Sequence, residues 1–316
     1  MIVFLLLAVY LSLVILAPSN WWALSLMYAV LGILIALVGF NIMHDGAHDS
    51  YSENSNVNLL MAGSLDVLGG SSFLWKLKHN INHHTYTNIE GMDDDIDLRP
   101  FIRTHKGQKK RWFHRYQHLY ALFLYGLTYL SWVFYRDFAK YFSRKIADHT
   151  TITRMKTKVH VSFWLFKAVH IGLFLVIPAL VLGFWNAIIG YLIASVTTGF
   201  ILAIVFQLAH IVEGPEFTTP DTVEAKADIQ SEWAIHQVQT TVNFATGNKL
   251  ISWLLGGLNF QMIHHLFPKI SHVHYPAIHK IVIETCDEFK LSYQEYPGMW
   301  MAIRSHLRHL KMAGRN

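Results

Sequence analysis

The distribution of positive charge most constrains what this chain can fold into. All 26 Lys and Arg residues lie within 76–167 and 226–316, so two long stretches carry no positive side chain. Those stretches hold the longest apolar runs. Overall, 53% of the residues are hydrophobic and 15% are charged, against about 25% charged in ordinary globular proteins. Uncharged apolar runs of about 20 residues are typical of helices that cross a bilayer. The pattern therefore predicts an all-α integral membrane protein.

Four apolar runs have about the length needed to cross a hydrocarbon core of ~30 Å. The predicted membrane helices are about 1–17, 21–42, 161–182 and 185–208. A secretory signal peptide is the alternative for the first run. That run lacks a basic start and a small-residue cleavage site, and a second apolar run follows at once. We expect one membrane-embedded domain, 1–316, whose cap is formed by 43–160 and 209–316.

The basic residues also predict the orientation. The connections 18–20 and 183–186 carry no charge, whereas both larger segments are basic, and basic residues concentrate on the cytoplasmic side. The cap, the histidine clusters and the C-terminus are therefore expected in the cytoplasm, at a bacterial inner membrane. Two further apolar stretches, 57–75 and 118–135, are expected to be interfacial or half-buried helices. The net charge of +5 requires no nucleic-acid partner.

Twenty histidines are present, and eight of them follow a spaced pattern. "HDGAH" contains His44 and His48, "HNINHH" contains His79, His83 and His84, "QMIHH" contains Gln261, His264 and His265, and His210 ends the last apolar run. Residues four apart share one face of a helix, whereas adjacent residues diverge by about 100°. Diverging neighbours suit two metal ions lying side by side better than a single ion.

The number and kind of these side chains narrow the choice of metal. Imidazole binds zinc, copper, iron and nickel, but a structural zinc takes four ligands, often cysteine, and the chain has one cysteine. Eight or nine ligands exceed what one zinc or a bis-histidine haem uses. Two iron ions fit the number, and iron also supplies oxygen chemistry.

Other polar residues have two interpretations. The acidic run Asp93, Asp94, Asp95 and Asp97 either orients imidazoles or solvates a loop, and we favour the loop. His170 lies inside an apolar run, where an ionisable residue is a functional candidate by default. His272, His274 and His279 are expected to orient the fold or the substrate. The remaining histidines are expected at the surface or as satisfied core residues, and His306 in particular at the surface.

These motifs resemble the membrane fatty-acid desaturases, whose sequences carry three histidine boxes. The match is close in the third box, "GGLNFQMIHHLFP" (Gly256 to Pro268), where a glutamine replaces the first histidine, as in front-end acyl-lipid and linoleoyl-CoA-type desaturases. "KHNINHHTYTN" and "HQVQTTVNF" resemble the bacterial members. Two features depart from the pattern. Ile263 stands where front-end desaturases usually have glutamate, and no "HPGG" stretch of a fused cytochrome b5 domain is present.

The resemblance implies four membrane helices under a cytoplasmic helical cap that holds a histidine-rich di-iron site. The implied metal ligands are His44, His48, His79, His83, His84, His210, Gln261, His264 and His265, with no further catalytic residue. The implied activity is oxygen-dependent formation of a cis double bond in an acyl chain, with dioxygen as co-substrate.

The implied partners are an acyl chain on CoA, acyl-carrier protein or a membrane lipid, and a separate electron donor of ferredoxin or cytochrome b5 type. An apolar tunnel should lie beside the histidines, and its candidate lining residues are Phe73, Trp75, Phe244, Trp253 and Phe260. An acyl-chain hydroxylase with the same site is one alternative. A non-enzymatic metal or haem membrane protein is another.

Overall fold

The computed structural model describes residues 1–147, 149–218 and 229–315, with side chains of the last range from Trp233 onward. In chain order the helices are α1 (Ile2–Leu16), α2 (Trp21–Ala47), α3 (Ser55–Val67), α4 (Ser72–Tyr86), α5 (Gln117–Gly126), α6 (128–143), α7 (Thr157–Leu182), α8 (Phe184–His210), α9 (Ile229–Thr240), α10 (Lys249–Leu254), α11 (Gln261–Leu266), α12 (Tyr275–Glu288) and α13 (Met299–Arg315). Two 3-10 turns cover Trp112–Tyr116 and His272–His274. Strands β1 (Lys145–Ala147) and β2 (Thr150–Thr151) pair antiparallel, and β3 (Val242–Phe244) and β4 (Gln294–Tyr296) pair parallel.

Three helices in the described ranges, α2, α7 and α8, are long and apolar enough to cross a membrane. They contain the predicted helices 21–42, 161–182 and 185–208 and extend beyond them. The first predicted helix corresponds to α1, which packs against α2. At 15 residues it spans about 22 Å at ~1.5 Å per residue, which is less than the ~30 Å of a hydrocarbon core.

Helix α8 is central, and α2, α5, α6 and α7 all pack on it. Small residues permit the close approach, as is common between membrane helices. A methyl group on Gly32 of α2 would lie 2.4 Å from the Ala194 carbonyl oxygen of α8, and one on Gly199 would lie 2.7 Å from the Gly126 carbonyl oxygen of α5. Larger residues at these positions would force the helices apart.

Helices α3 and α4 form a bent pair with an angle of 113° between them. The stretch 57–75, expected to be an interfacial or half-buried helix, is divided between two helices, because the chain turns between Leu68 and Ser71. Gly69 adopts a φ of +94°, which favours glycine, and the Ser71 side chain accepts a hydrogen bond from the Leu74 amide at the start of α4. The second apolar stretch, predicted as a helix over 118–135, is likewise divided at Leu127 into α5 and α6.

Side chains from other helices bind the carbonyl groups of the α3–α4 turn. The Lys167 ammonium of α7 donates to the Gly69 carbonyl at 2.6 Å, and the Tyr129 hydroxyl of α6 donates to the Leu68 carbonyl. The His170 ring of α7 lies against Gly69. Lys167 and His170 stand well inside a helix of membrane length, where irregular backbone needs partners from the protein. These contacts explain how the turn is accommodated beside α7.

Helices α2, α4, α6 and α7 each contain a π-helical stretch. In α2 it covers Gly39–Met43, directly before His44, and in α4 it covers Leu77–His83. A π-helical turn takes up an extra residue without breaking the helix, and such turns are frequent at functional sites. The side chains that follow are therefore rotated relative to the α-helical register.

Candidate metal centre

Four helices carry the eight predicted histidines to one buried centre. His44 lies in the last turn of α2 and His48 directly follows that helix, while α4, the end of α8 and α11 supply the others. Each of the eight is at most 6% exposed. The set is His44, His48, His79, His83, His84, His210, His264 and His265.

The ring nitrogens of these histidines fall into two adjoining groups. In the first group, His44, His48, His79 and His264 each offer a nitrogen within 4.8 Å of the others. In the second group, His83, His210 and His265 do the same. His84 forms a further group of this kind with His264 and His265, so it lies where the two groups meet. Adjacent residues of the sequence thus separate as the spacing predicts, with His264 in the first group and His265 in the second.

Hydrogen bonds at Nδ1 fix the orientation of several rings. His265 Nδ1 donates to Gln237 Oε1 at 2.8 Å, and His264 Nδ1 lies 3.1 Å from the Tyr275 hydroxyl. His210 Nδ1 lies 3.4 Å from the Thr240 carbonyl oxygen. A proton held at Nδ1 leaves the lone pair at Nε2 free for a metal.

The Nε2 atoms of the rings show whether the centre suits a metal ion. Within the described part of the chain, buried Nε2 atoms have no hydrogen-bond partner in His48, His79, His83, His84, His264 and His265, and neither nitrogen of His84 has one. A buried polar atom without a partner costs about 1–3 kcal/mol, and so many at one centre are expected only where another group binds them. Clustered neutral imidazoles are the ligand set that divalent transition metals prefer.

The acidic run contributes two of the hydrogen bonds that orient these rings. His79 Nδ1 donates to Asp95 Oδ2 at 3.0 Å, and His83 Nδ1 donates to Asp93 Oδ2 at 2.9 Å. The favoured interpretation of the run as a solvated loop is therefore wrong for these two residues, since Asp93 is buried, the Asp95 side chain is 8% exposed, and both bond imidazoles. Asp97 fits that interpretation better, because it pairs with Arg99 in a partly exposed position.

Burial also sets the charge of the centre. It lowers the pKa of His264 and of His265 well below 6.5, so both imidazoles are neutral at physiological pH. Burial alone would raise the pKa of Asp95, but the Lys78 ammonium and the His79 hydrogen bond hold it well below its usual range. His264 and His265 thus offer neutral rings, and Asp95 beside His79 is an ionised carboxylate, an arrangement that suits the binding of cations.

A largely apolar cavity lies beside the first group. His44, His79 and Gln261 line it at the histidine centre, and Leu68 of the α3–α4 turn and Tyr129 of α6 line it elsewhere. Of the five predicted lining aromatics, Trp75 faces this cavity. Phe244 and Phe260 are buried in the core, Phe73 packs in a separate cluster, and Trp253 is 44% exposed.

Gln261 lies in the centre but contacts a histidine. Its side-chain Nε2 is 3.0 Å from His210 Nε2, and it is 3% exposed. The amide therefore lies at the second group of rings while it also lines the cavity. Either an amide hydrogen or an amide oxygen can face that ring, because the two ends of a glutamine side chain have similar shapes.

Three other histidines are held by hydrogen bonds. His306 is fully buried rather than exposed, so its predicted surface position is wrong; it bonds the Ile211 carbonyl and the Tyr125 hydroxyl. His170 contacts the Tyr191 hydroxyl at 2.8 Å, far from the eight histidines in sequence and outside their groups. His272 Nδ1 donates to Asp45 Oδ2 at 2.8 Å.

Two residues that orient histidines were not predicted from the sequence. Gln237 bonds His265, and Tyr275 bonds His264. A signal existed, since Gln237 lies in "HQVQTTVNF" and Tyr275 in "SHVHYP", both within stretches of family-like sequence. Neither residue type marks a metal site by itself, so the pairing with a histidine appears only in three dimensions.

The fold and the site define a helical protein with membrane-length helices and a buried, histidine-rich candidate metal centre. A family model described as fatty acid desaturase matches residues 19–297. The sn-1 linoleoyl-lipid 6-desaturase of Arthrospira platensis is 41% identical over 94% of this chain and 80% of its own length. A protein of the same name from Synechocystis sp. is 38% identical over 90% and 79%. The acyl-lipid (8-3)-desaturase of Physcomitrium patens is 38% identical over 92% and 60%. This chain belongs to the fatty acid desaturase family, and it is an oxidoreductase that desaturates fatty-acyl chains.

Proposed function

We propose that this desaturase uses two iron ions and dioxygen to introduce a cis double bond into the acyl chain of a membrane lipid. The observation that carries the proposal is the set of eight buried histidines in two adjoining groups, with unpaired Nε2 atoms, beside an apolar cavity. The relatives named as lipid desaturases support a lipid-bound acyl chain over acyl-CoA or acyl-carrier protein.

The proposed ligands are the eight histidines, with Gln261 as a ninth group that acts directly or through water. Bound iron would supply the activation of dioxygen that removal of hydrogen from two neighbouring methylenes requires. The chain itself contributes placement, because a methylene offers no charge to bind and the rate depends on holding it near the centre. Asp93 and Asp95 hold His83 and His79 in the orientation that aims Nε2 inward.

The proposed topology is one domain of four membrane helices, formed by α1, α2, α7 and α8, with the remaining segments forming a cytoplasmic cap. The uncharged connections 18–20 and 183–186 and the basic cap segments support it. The position of the histidines at the cap-side ends of α2 and α8 also supports it. The bacterial inner membrane is the proposed location.

Purified protein and lipid products test the proposal together. We expect about two iron ions per chain and no haem absorbance. Lipids of a host that expresses the protein should gain one double bond per modified chain, located by mass spectrometry. His264→Ala should abolish the product, while the exposed His149→Ala should not. A product heavier by one oxygen, without a double bond, would identify a hydroxylase and overturn the proposal.

A further inference from the structure

Positive side chains are concentrated on one surface of the cap, which we call the α13 surface. Its centre is formed by Arg304, Arg308, Lys311 and Arg315, which follow at intervals of four, three and four residues and are all exposed. This spacing places them on one face of α13. No Asp or Glu occurs in 296–316, so the sequence of the helix supplies no charge to neutralise them.

A second basic segment adjoins the C-terminal half of α13. Gln117 Nε2 donates to the Leu310 carbonyl at 2.7 Å, and a methyl group on Gly314 would lie 2.0 Å from the His114 carbonyl oxygen. Segment 98–136 contains eight Lys and Arg residues and no Asp or Glu. Its exposed cations near this contact are Lys106, Lys109, Lys110, Arg111 and Arg115. The two segments together carry nine exposed cations, and the Lys110 ammonium donates to the Arg315 carbonyl where they meet.

The opposite face of α13 contacts the backbone that follows His210. His306 Nδ1 donates to the Ile211 carbonyl at 2.5 Å, and Ser305 Oγ accepts from the Glu213 amide at 2.9 Å. Ile211 directly follows His210, a member of the second histidine group. One helix diameter of roughly 10–12 Å therefore separates the cationic face from backbone adjoining His210.

The proposed reaction needs electrons that this site must receive from outside. Reduction of dioxygen to two waters takes four electrons and four protons. Conversion of –CH2–CH2– to –CH=CH– releases two electrons and two protons. Two further electrons and two protons are thus needed per double bond, and a carrier that transfers one electron at a time must dock twice.

We infer that the α13 surface is the docking site of an acidic one-electron carrier protein, an inference that rests on the proposed function. Opposite charge steers such a partner and fixes its orientation, most strongly at low salt. The carrier approaches the face whose opposite side contacts the segment after His210. Anionic lipid headgroups are the competing occupant, since Trp300, Met301 and Met312 of α13 are exposed and a helix at a membrane surface inserts apolar side chains into lipid. Ala302 and Leu310 are buried in the protein, and the carrier accounts for the position of the cations opposite the segment after His210.

The test compares charge reversals in full-length protein held in neutral phosphatidylcholine nanodiscs. One variant carries Arg304→Glu, Arg308→Glu and Lys311→Glu. The matched control carries Lys269→Glu, Lys280→Glu and Lys290→Glu, which reverse the same number of exposed charges elsewhere in the cap. A third variant replaces the three α13 cations with Gln, which removes charge without introducing repulsion. The probe is an acidic [2Fe–2S] ferredoxin.

Binding of the ferredoxin is measured on the purified full-length protein without a reductant, so that the readout is docking and not turnover. We expect the α13 reversal to weaken binding at least tenfold, the Gln variant to weaken it less, and the control to remain within twofold of wild type. Wild-type binding should weaken as salt rises, and the α13 reversal should show little salt dependence. Equal binding by wild type and the α13 reversal, or equal loss in both reversals, would overturn the inference.

Single turnover with dithionite, which needs no docking, separates this inference from the proposed function. Wild type and the α13 reversal should form the same amount of double bond with dithionite. If wild type forms none while its ferredoxin binding still depends on α13, the proposed function fails and the docking surface stands. If ferredoxin binding is unchanged but wild type alone retains phosphatidylglycerol on purification, the surface binds lipid and the docking inference is overturned.

Discussion

Replacement of Lys167 with methionine should destabilise the protein more than any exposed substitution on α7. The ammonium donates to the Gly69 carbonyl at 2.6 Å, the Val133 carbonyl at 2.7 Å and Asp137 Oδ2 at 2.9 Å. Methionine keeps the length and apolar character of the side chain but removes every donor. The change therefore leaves a buried carboxylate and two buried carbonyls without this partner.

The magnitude follows from the burial of the pair. The side chains of Lys167 and Asp137 are 7% and 3% exposed. Removing one member of a buried ion pair costs about 3–5 kcal/mol, because the other charge is left uncompensated. The Trp132 indole still donates to Asp137 at 3.1 Å, and the lost carbonyl bonds overlap with the same change. We therefore expect the free energy of unfolding to fall by about 4 kcal/mol.

Equilibrium unfolding of the detergent-solubilised protein, followed by tryptophan fluorescence, measures this loss. The exposed Lys158→Met on the same helix is the control, and it should stay within about 0.5 kcal/mol of wild type. Lys167→Met combined with Asp137→Leu should recover part of the stability, since no charge remains buried alone. A loss below about 1 kcal/mol, or a double variant less stable than the single one, would refute the reasoning.

Three further predictions concern the site and its surroundings. Asp95→Asn should weaken iron binding roughly 10–100-fold, measured by competition with a chelator, whereas Asp97→Asn should leave it unchanged; equal effects would deny Asp95 its orienting role. Gln261→His should retain iron and lower turnover, and Gln261→Leu should retain some iron and lose most activity; full activity in Gln261→Leu would make the residue a packing group. Burial lowers the pKa of His306 to about 4 from 6.5, so its unfolded form binds a proton first as pH falls, and stability from this residue is present above about 6.5 and lost towards 4. His306→Gln should flatten the pH dependence of the unfolding free energy in that window, and an unchanged slope would contradict the assignment.

The three histidine boxes could be predicted because their signal is local. Four-residue spacing and adjacent pairs are visible in the sequence, and each helix carries its own box to the centre. The roles of Asp93 and Asp95 could not be predicted, because an acidic run has the composition of a loop whether or not imidazoles lie against it. The predicted surface position of His306 was wrong for a related reason. A histidine near basic residues in the sequence gives no sign that it bonds Tyr125 and Ile211 in the interior.

The division of the apolar stretch 57–75 was missed, although Gly69 and Gly70 followed by Ser71 form a typical turn and helix start. Hydropathy measures whether a segment tolerates lipid, and it does not show where the backbone turns. The partners that permit this turn, Tyr129 and Lys167, lie about 60 and 100 positions away in the chain. The local sequence thus marks where the chain can turn, whereas the partners that bind the carbonyls of the turn appear only in the assembled structure.

The π-helical stretch at Gly39–Met43 limits which insertions and deletions α2 can tolerate in its sequence. One extra residue in a helix advances the angular phase of everything after it by about 100°. The part of α2 that packs in the apolar core and the part that carries His44 therefore have different helical registers, and the register changes at Gly39–Met43. Residues before Gly39 that would share a face with His44 in a regular α-helix therefore lie on a different face from it in this structure. Loss of a single residue here would keep the apolar helix and turn His44 away from the other rings.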